Sequence, residues 1–182
     1  MWRRRRRTPR RRQRIPGCPS RPTRLSMSAR RPEMQPLPHA APFRWKTRVY
    51  FADTDAGGVM HHASYVRLLE AARTEWLFSL GFVQRELARQ TKVLFAIARI
   101  ELDYLAPAKL DDEIEVQTRV RGLRRASMQV EQAVYCEGRH LLNANVWVVA
   151  VDSERFRPRP LPPELVAHLR GDPAPEASAQ QQ

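Results

Sequence analysis

Ten consecutive residues hold the side chains in this sequence best suited to chemistry: Asp53-Thr54-Asp55-Ala56-Gly57-Gly58-Val59-Met60-His61-His62. A carboxylate at Asp55 and an imidazole at His62 stand seven residues apart, on either side of a glycine pair. Acyl transfer calls for such parts, a base or nucleophile together with oriented donors that hold an oxyanion. The glycines let the backbone approach a ligand closely. If the segment joins a strand end to a helix start, unpaired N–H groups and the helix dipole favour negative charge developing there. The competing reading is structural, with Asx-turns and positive-φ glycines leading into a helix cap. On spacing alone the structural reading is the stronger.

Other chemistries find less support. The sequence has no GxGxxG or GxxxxGK[ST] loop for cradling a nucleotide and no GxSxG nucleophile elbow. His61 and His62 with Asp53 and Asp55 suggest metal ligation at first sight. Adjacent histidines on an irregular segment point apart as often as together, and no further ligand pair at helical spacing accompanies them. No metal is expected.

The elements around the segment decide what it can do. Trp45, Thr47, Val49 and Phe51 alternate with Lys46, Arg48 and Tyr50, which predicts a half-buried strand over 45–51. After the loop, Tyr65, Leu68, Leu69, Ala72 and Trp76 form an apolar stripe at helical spacing. The stripe predicts a long helix from Ser64 to about Leu80, with Ser64 as N-cap and Gly81 as the residue past its end. A short helix is expected over 83–89. Strands follow at 95–105, 114–120, 128–136 and 142–151, separated by turns at Gly122 and Glu137-Gly138. Val146 to Val151 is apolar on both faces, as suits a central strand or a subunit contact. Pro162 to Arg170 reads as a closing helix with proline in its first turn. One long helix against an antiparallel five-stranded sheet is a two-layer α+β architecture.

Charge looks like a signal for nucleic acid until it is located. The net charge of +13 lies almost wholly in residues 1–40, which hold 13 Arg and one acid, Glu33; the other 142 residues carry 19 Lys and Arg against 18 Asp and Glu. The basic segment also holds seven prolines and no apolar periodicity, so it reads as a disordered tail. An RNA- or lipid-binding arm and a targeting signal are alternatives, although the apolar stretch of a secretory signal is missing. The favoured reading is upstream sequence with the true start at Met27 or Met34. The folded domain is expected over 41–170 and a second disordered tail over 171–182. With its charge near zero, that domain is not expected to bind nucleic acid. Cys18 and Cys136 form neither a disulfide framework nor a CxxC site, which fits a reducing, cytoplasmic setting. No apolar run approaches the ~18 residues of a membrane span.

The run Arg48-Val49, Thr54-Asp55, Gly58-Val59, His62 and Tyr65 resembles the signature of the 4-hydroxybenzoyl-CoA thioesterase family. Within it, Val49 to Ala72 is most similar to the short-chain acyl-CoA thioesterases associated with the Tol–Pal system, and 107–112 and 146–163 share the likeness. The resemblance implies the hot-dog fold, in which a meandering antiparallel sheet wraps one long helix. It implies hydrolysis of acyl-CoA or acyl-carrier thioesters without metal or organic cofactor, by homodimers or homotetramers with sites at subunit contacts. By position, Asp55 matches the family's essential carboxylate, acting as nucleophile or as base toward water. The N–H near His62 would hold the carbonyl oxygen, and the His62 side chain would contact the acyl or thiol portion. Gly58, Val59 and His61 are placed against substrate, Asp53 is assigned to structure and Tyr65 to the core. Phe51 stands where the branch usually has Tyr, and Met60 and His61 replace smaller or aromatic residues, which bears on acyl preference.

Three alternatives accompany this reading. Glu70, on the long helix, is a competing carboxylate. A hot-dog dehydratase would need a different pairing of His and acid, which is not found. A non-enzymatic thioester-binding or RNA-binding module is the third.

Overall fold

In β2 (Phe43–Arg48), Phe43, Trp45 and Thr47 are half-buried while Arg44, Lys46 and Arg48 point to solvent, the period of two that the sequence predicts. The computed structural model describes residues 34–37 and 41–171. The expectations for 1–33, 38–40 and 172–182 fall outside the described residues. The other elements are β1 (Gln35–Pro36), α1 (His62–Ser79), α2 (Gln84–Thr91), β3 (Val93–Tyr104), β4 (Glu113–Arg124), β5 (Ser127–Cys136), β6 (Arg139–Asp152) and α3 (Pro163–Arg170).

The strands form one antiparallel sheet in the order β1-β4-β5-β6-β3, with β2 also paired to β4 beside β1. Alternate residues of β4, β5 and β6 turn inward, among them Ile114, Val116, Val130, Val134, Ala144 and Val146, all buried. Against them α1 lays Tyr65, Leu69, Ala72, Trp76 and Leu77. Each fully buried Val or Leu of this layer contributes about 1.5–3 kcal/mol. The α+β architecture with one long helix on an antiparallel sheet is thus as the sequence led one to expect.

Details differ for physical reasons. The sheet has six strands instead of five, because Gln35 and Pro36 pair with Leu123 and Gly122. These two residues lie inside the segment assigned to the tail. Gly122 makes the pairing possible, since a Cβ there would sit 2.3 Å from Met34 Cγ. It lies at a bulge within β4, and the turn falls at 125–126 instead. Pro36, which lacks an N–H, is tolerated on an edge strand. Phe51 is 80% exposed, because β2 stops at Arg48 and a 3-10 turn over Phe51–Asp53 breaks the alternation. β6 lies between β5 and β3 and buries one face; Trp147 and Val149 on the other are half-exposed.

The ends of α1 mix agreement and correction. Gly81, at φ +85, lets the Phe82 and Gly81 amides reach back to the carbonyls of Leu77 and Phe78, a Schellman closure. At the start, His61 and not Ser64 is the N-cap, its backbone extended and its Nδ1 accepting from the Ala63 N–H at 3.3 Å. Ser64 lies in the first turn and donates its N–H to the His61 carbonyl. The helix therefore begins two residues earlier than the stripe suggested, immediately after the glycine loop.

Candidate active site

Backbone hydrogen bonds give the loop between the 3-10 turn and α1 its shape. The Asp55 N–H donates to the Val59 carbonyl, the Gly58 N–H to the Asp55 carbonyl and the His61 N–H to the Asp53 carbonyl, each within 3.0 Å. Gly58 has φ +72, a conformation that costs any other residue. Asp53 is the loop's anchor: buried, it accepts the Tyr50 N–H and pairs with Arg67. Asp55, by contrast, is exposed, and its Oδ1 accepts the Gly57 N–H at 2.8 Å.

The second wall comes from the distant end of β3 and the segment that follows it. The Met60 N–H donates to the Ala108 carbonyl, the Ala108 N–H to the Tyr65 hydroxyl at 2.9 Å and the Tyr104 hydroxyl to the His62 carbonyl at 3.0 Å. The Tyr65 and Tyr104 rings meet edge to face at 5.6 Å. Burial pushes the Tyr65 hydroxyl pKa up, opposed by the Ala108 N–H, and burial also raises that of Tyr104. Both shifts favour the neutral phenol.

Between the walls lies an open cleft of about 380 Å³, bordered by Asp55, Val59, Met60, His62 and Tyr65 on the loop and helix side and by Tyr104 to Pro107 on the other. Apart from Asp55 and His62 its lining is apolar or phenolic, as suits an acyl group. Asp55, His62 and Val59 are thus brought together. Gly58 and His61 are not on the cleft's lining; Gly58 shapes the turn, and His61 caps the helix with its ring 4.1 Å from that of His62. Tyr104, Leu105, Ala106 and Pro107 were not among the residues expected at a site. No local signal marks them, since their place there depends on strand pairing.

His62 is the first helical residue, so its N–H has no partner within the helix. The next two amides are engaged locally, Ala63 by His61 Nδ1 and Ser64 by the His61 carbonyl. The helix start therefore leaves the His62 N–H without a helical partner, at a residue that borders the cleft. Glu70 borders a different groove, between α1 and β3, with Arg73, Phe95 and Ile97. A larger groove of about 610 Å³ runs over β2 and β4, but its cations are already matched, Arg44 with Glu115 and Lys46 with Glu113. Among the described residues no three His, Cys, Asp or Glu side chains converge as a metal site would require, and no helix is long and apolar enough to cross a membrane.

At the start of α1, then, Asp55 and His62 border one cleft. A sequence model of the thioesterase-like superfamily matches residues 49–169, and the chain belongs to that superfamily. Acyl-CoA thioester hydrolase YbgC of Escherichia coli O6:H1 is 44% identical over 129 residues, covering 70% of this chain and 96% of its own length. The crystal structure of a probable thioesterase from Bartonella henselae superposes with a TM-score of 0.65 at 32% identity, over 67% of this chain and 100% of that one. A 4-hydroxybenzoyl-CoA thioesterase mutant bound to 4-hydroxybenzoyl-CoA shares the fold, with a TM-score of 0.67 at 21% identity, over 71% of this chain and 99% of that one.

Proposed function

We propose that the chain hydrolyses acyl-CoA thioesters in this cleft, with Asp55 as the reacting carboxylate and the His62 amide as the oxyanion donor. The observation that carries the reading is that Asp55 and His62, whose N–H has no helical partner, border one cleft that is otherwise nearly apolar. The acyl group lies against Val59, Met60 and Leu105, and its carbonyl oxygen meets the His62 N–H. As negative charge builds on that oxygen, the donor stabilises it; one such donor is worth about 3–4 kcal/mol in other enzymes. Asp55 either attacks the carbonyl carbon, giving an anhydride that water then opens, or takes a proton from the attacking water. In both routes the C–S bond breaks and the thiolate leaves and is protonated. In the base route the acid's new oxygen comes from water, whereas water opening the anhydride at the Asp55 carboxyl carbon leaves an Asp55 oxygen in the acid and its own in Asp55. The His62 ring stands at the same rim, where it serves the departing sulfur.

Acyl-CoA is favoured over an acyl-carrier substrate by the names of the YbgC relatives. Homodimeric or homotetrameric assembly is part of the proposal. β3 is a twelve-residue edge strand, and Ile97, Tyr104 and Leu105 on or beside it are each more than 40% exposed. Tyr104 and Leu105 also border the cleft, so a second copy on this edge would extend its wall. A cytoplasmic setting fits the free, buried Cys136.

The test is free-thiol release from a panel of short, long and aromatic acyl-CoAs, measured beside Asp55→Asn. A folded protein that releases thiol from none of them would end the reading. Single turnover in heavy-oxygen water, with label sought in the Asp55 carboxyl, separates attack from base catalysis.

A further inference from the structure

The loop holds two adjacent glycines, and the structure gives each a different reason to be glycine. Gly58 sits at φ +72, yet a Cβ there would meet nothing within 4 Å, so its requirement lies in the backbone. Gly57 is the reverse. It is not among the residues with positive φ, so its φ does not call for glycine. A Cβ at Gly57 would lie 3.0 Å from Asp55 Oδ1, with only Asp55 Cγ also in reach, at 4.0 Å. The same Oδ1 accepts the Gly57 N–H at 2.8 Å. Among the described residues no cation pairs with Asp55, and Arg67 pairs with Asp53. One backbone N–H and one missing methyl group therefore fix where an exposed carboxylate points.

We infer that Gly57 is the positioning residue for Asp55, holding Oδ1 so that Oδ2 is the oxygen that reacts. The inference rests on the reading of Asp55 as the reacting carboxylate. Misplacing a reacting group by about 1 Å can cost ~100-fold in rate. A Cβ at 3.0 Å requires Oδ1 to give by a few tenths of an ångström.

The experiment is a double-mutant cycle on the full chain, with Gly57→Ala, Asp55→Ala and the pair, scored by thiol release and thermal melting. Gly57→Ala is expected to lower kcat about 10-fold or more with KM within about 3-fold, the pattern of an interaction used in the transition state. In the Asp55→Ala background the same change is expected to cost nothing further, because its only neighbour is gone. Parent-like kcat in Gly57→Ala, or an equal loss in both backgrounds, would overturn the inference. Should Gly57→Ala fail to fold, recovery of folding in the double variant supports the clash, and continued failure overturns it. Full turnover by Asp55→Ala alone sinks the catalytic reading itself and this inference with it.

Discussion

Polar groups gather at the start of helix α1 and again against its middle, and the fold treats them in opposite ways. At the start, Asp55 is exposed and the His62 N–H has no partner within the helix. In the middle, Arg73, Gln132 and Thr118 are all buried, and Gln132 bonds to both of the others. The Arg73 guanidinium donates to Gln132 Oε1 at 2.7 Å, and Gln132 Nε2 donates to the Leu69 carbonyl and to Thr118 Oγ1, each at 3.0 Å. Burial lowers the Arg73 pKa, and Glu70 opposes that shift. A buried polar group bonded across the interface anchors the sheet to the helix. One whose bonds are incomplete and open to a cleft can serve a substrate. The two regions should therefore answer mutation differently, the first in rate and the second in stability.

The largest effect is expected at Asp55. Asp55→Asn should reduce thiol release about 100-fold or more, with a melting temperature close to the parent's; an active variant would break the contrast. Next comes Gln132→Ala, which strands a buried guanidinium and a buried hydroxyl. Leaving such groups unsatisfied costs about 2 kcal/mol, read as a melting temperature lower by roughly 8 °C, while kcat per folded molecule stays at the parent value. Unchanged melting would show that the network contributes nothing net. Gly58→Ala sits between the two regions in kind. Its positive φ should cost about 1 kcal/mol, visible in urea denaturation, and loosen the loop that carries Asp55.

The smallest effect concerns a site far from both. The N–H groups of Arg155 and Glu154 hold the Asp152 carboxyl below its usual pKa, with Arg159 adding to them and burial opposing. Because the folded pKa is depressed, Asp152 stabilises the fold above the unfolded-state pKa, and this stabilisation is lost as pH falls through the folded value. Asp152→Asn should accordingly destabilise at neutral pH, and its deficit against the parent should shrink under acid. Denaturation at two pH values measures this, and a constant deficit would assign the role to packing instead.

Much of this was legible beforehand because it is local. The apolar stripe from Tyr65 to Trp76 forms a helix, and Gly81 ends it with a left-handed residue as such ends require. Asp53, Asp55, His62 and the glycines could be singled out because residue type and spacing alone bear on turns, caps and acyl chemistry. The misplaced features depend on neighbours remote in sequence. Gly122 read as a turn because glycine usually marks one, whereas here it is small to admit Met34. Phe51 read as inward because nothing in its own stretch announces that β2 stops at Arg48. His61 replaced Ser64 as the cap because the loop's hydrogen bonds set the helix start, and no propensity scale contains them.

The sequence by itself therefore determined the α+β class, the long helix and the glycine-bearing segment where chemistry could occur. Each follows from periodicity or from the backbone freedom of particular residues, and both are properties of short stretches. Tertiary structure alone decided that Tyr104 to Pro107 would face Asp55, that Arg73 would find Gln132, and that Gly57 would orient the carboxylate while Gly58 turns the chain. Those outcomes rest on contacts a few ångströms long, some between residues dozens of positions apart, and strand register is what brings such residues within reach.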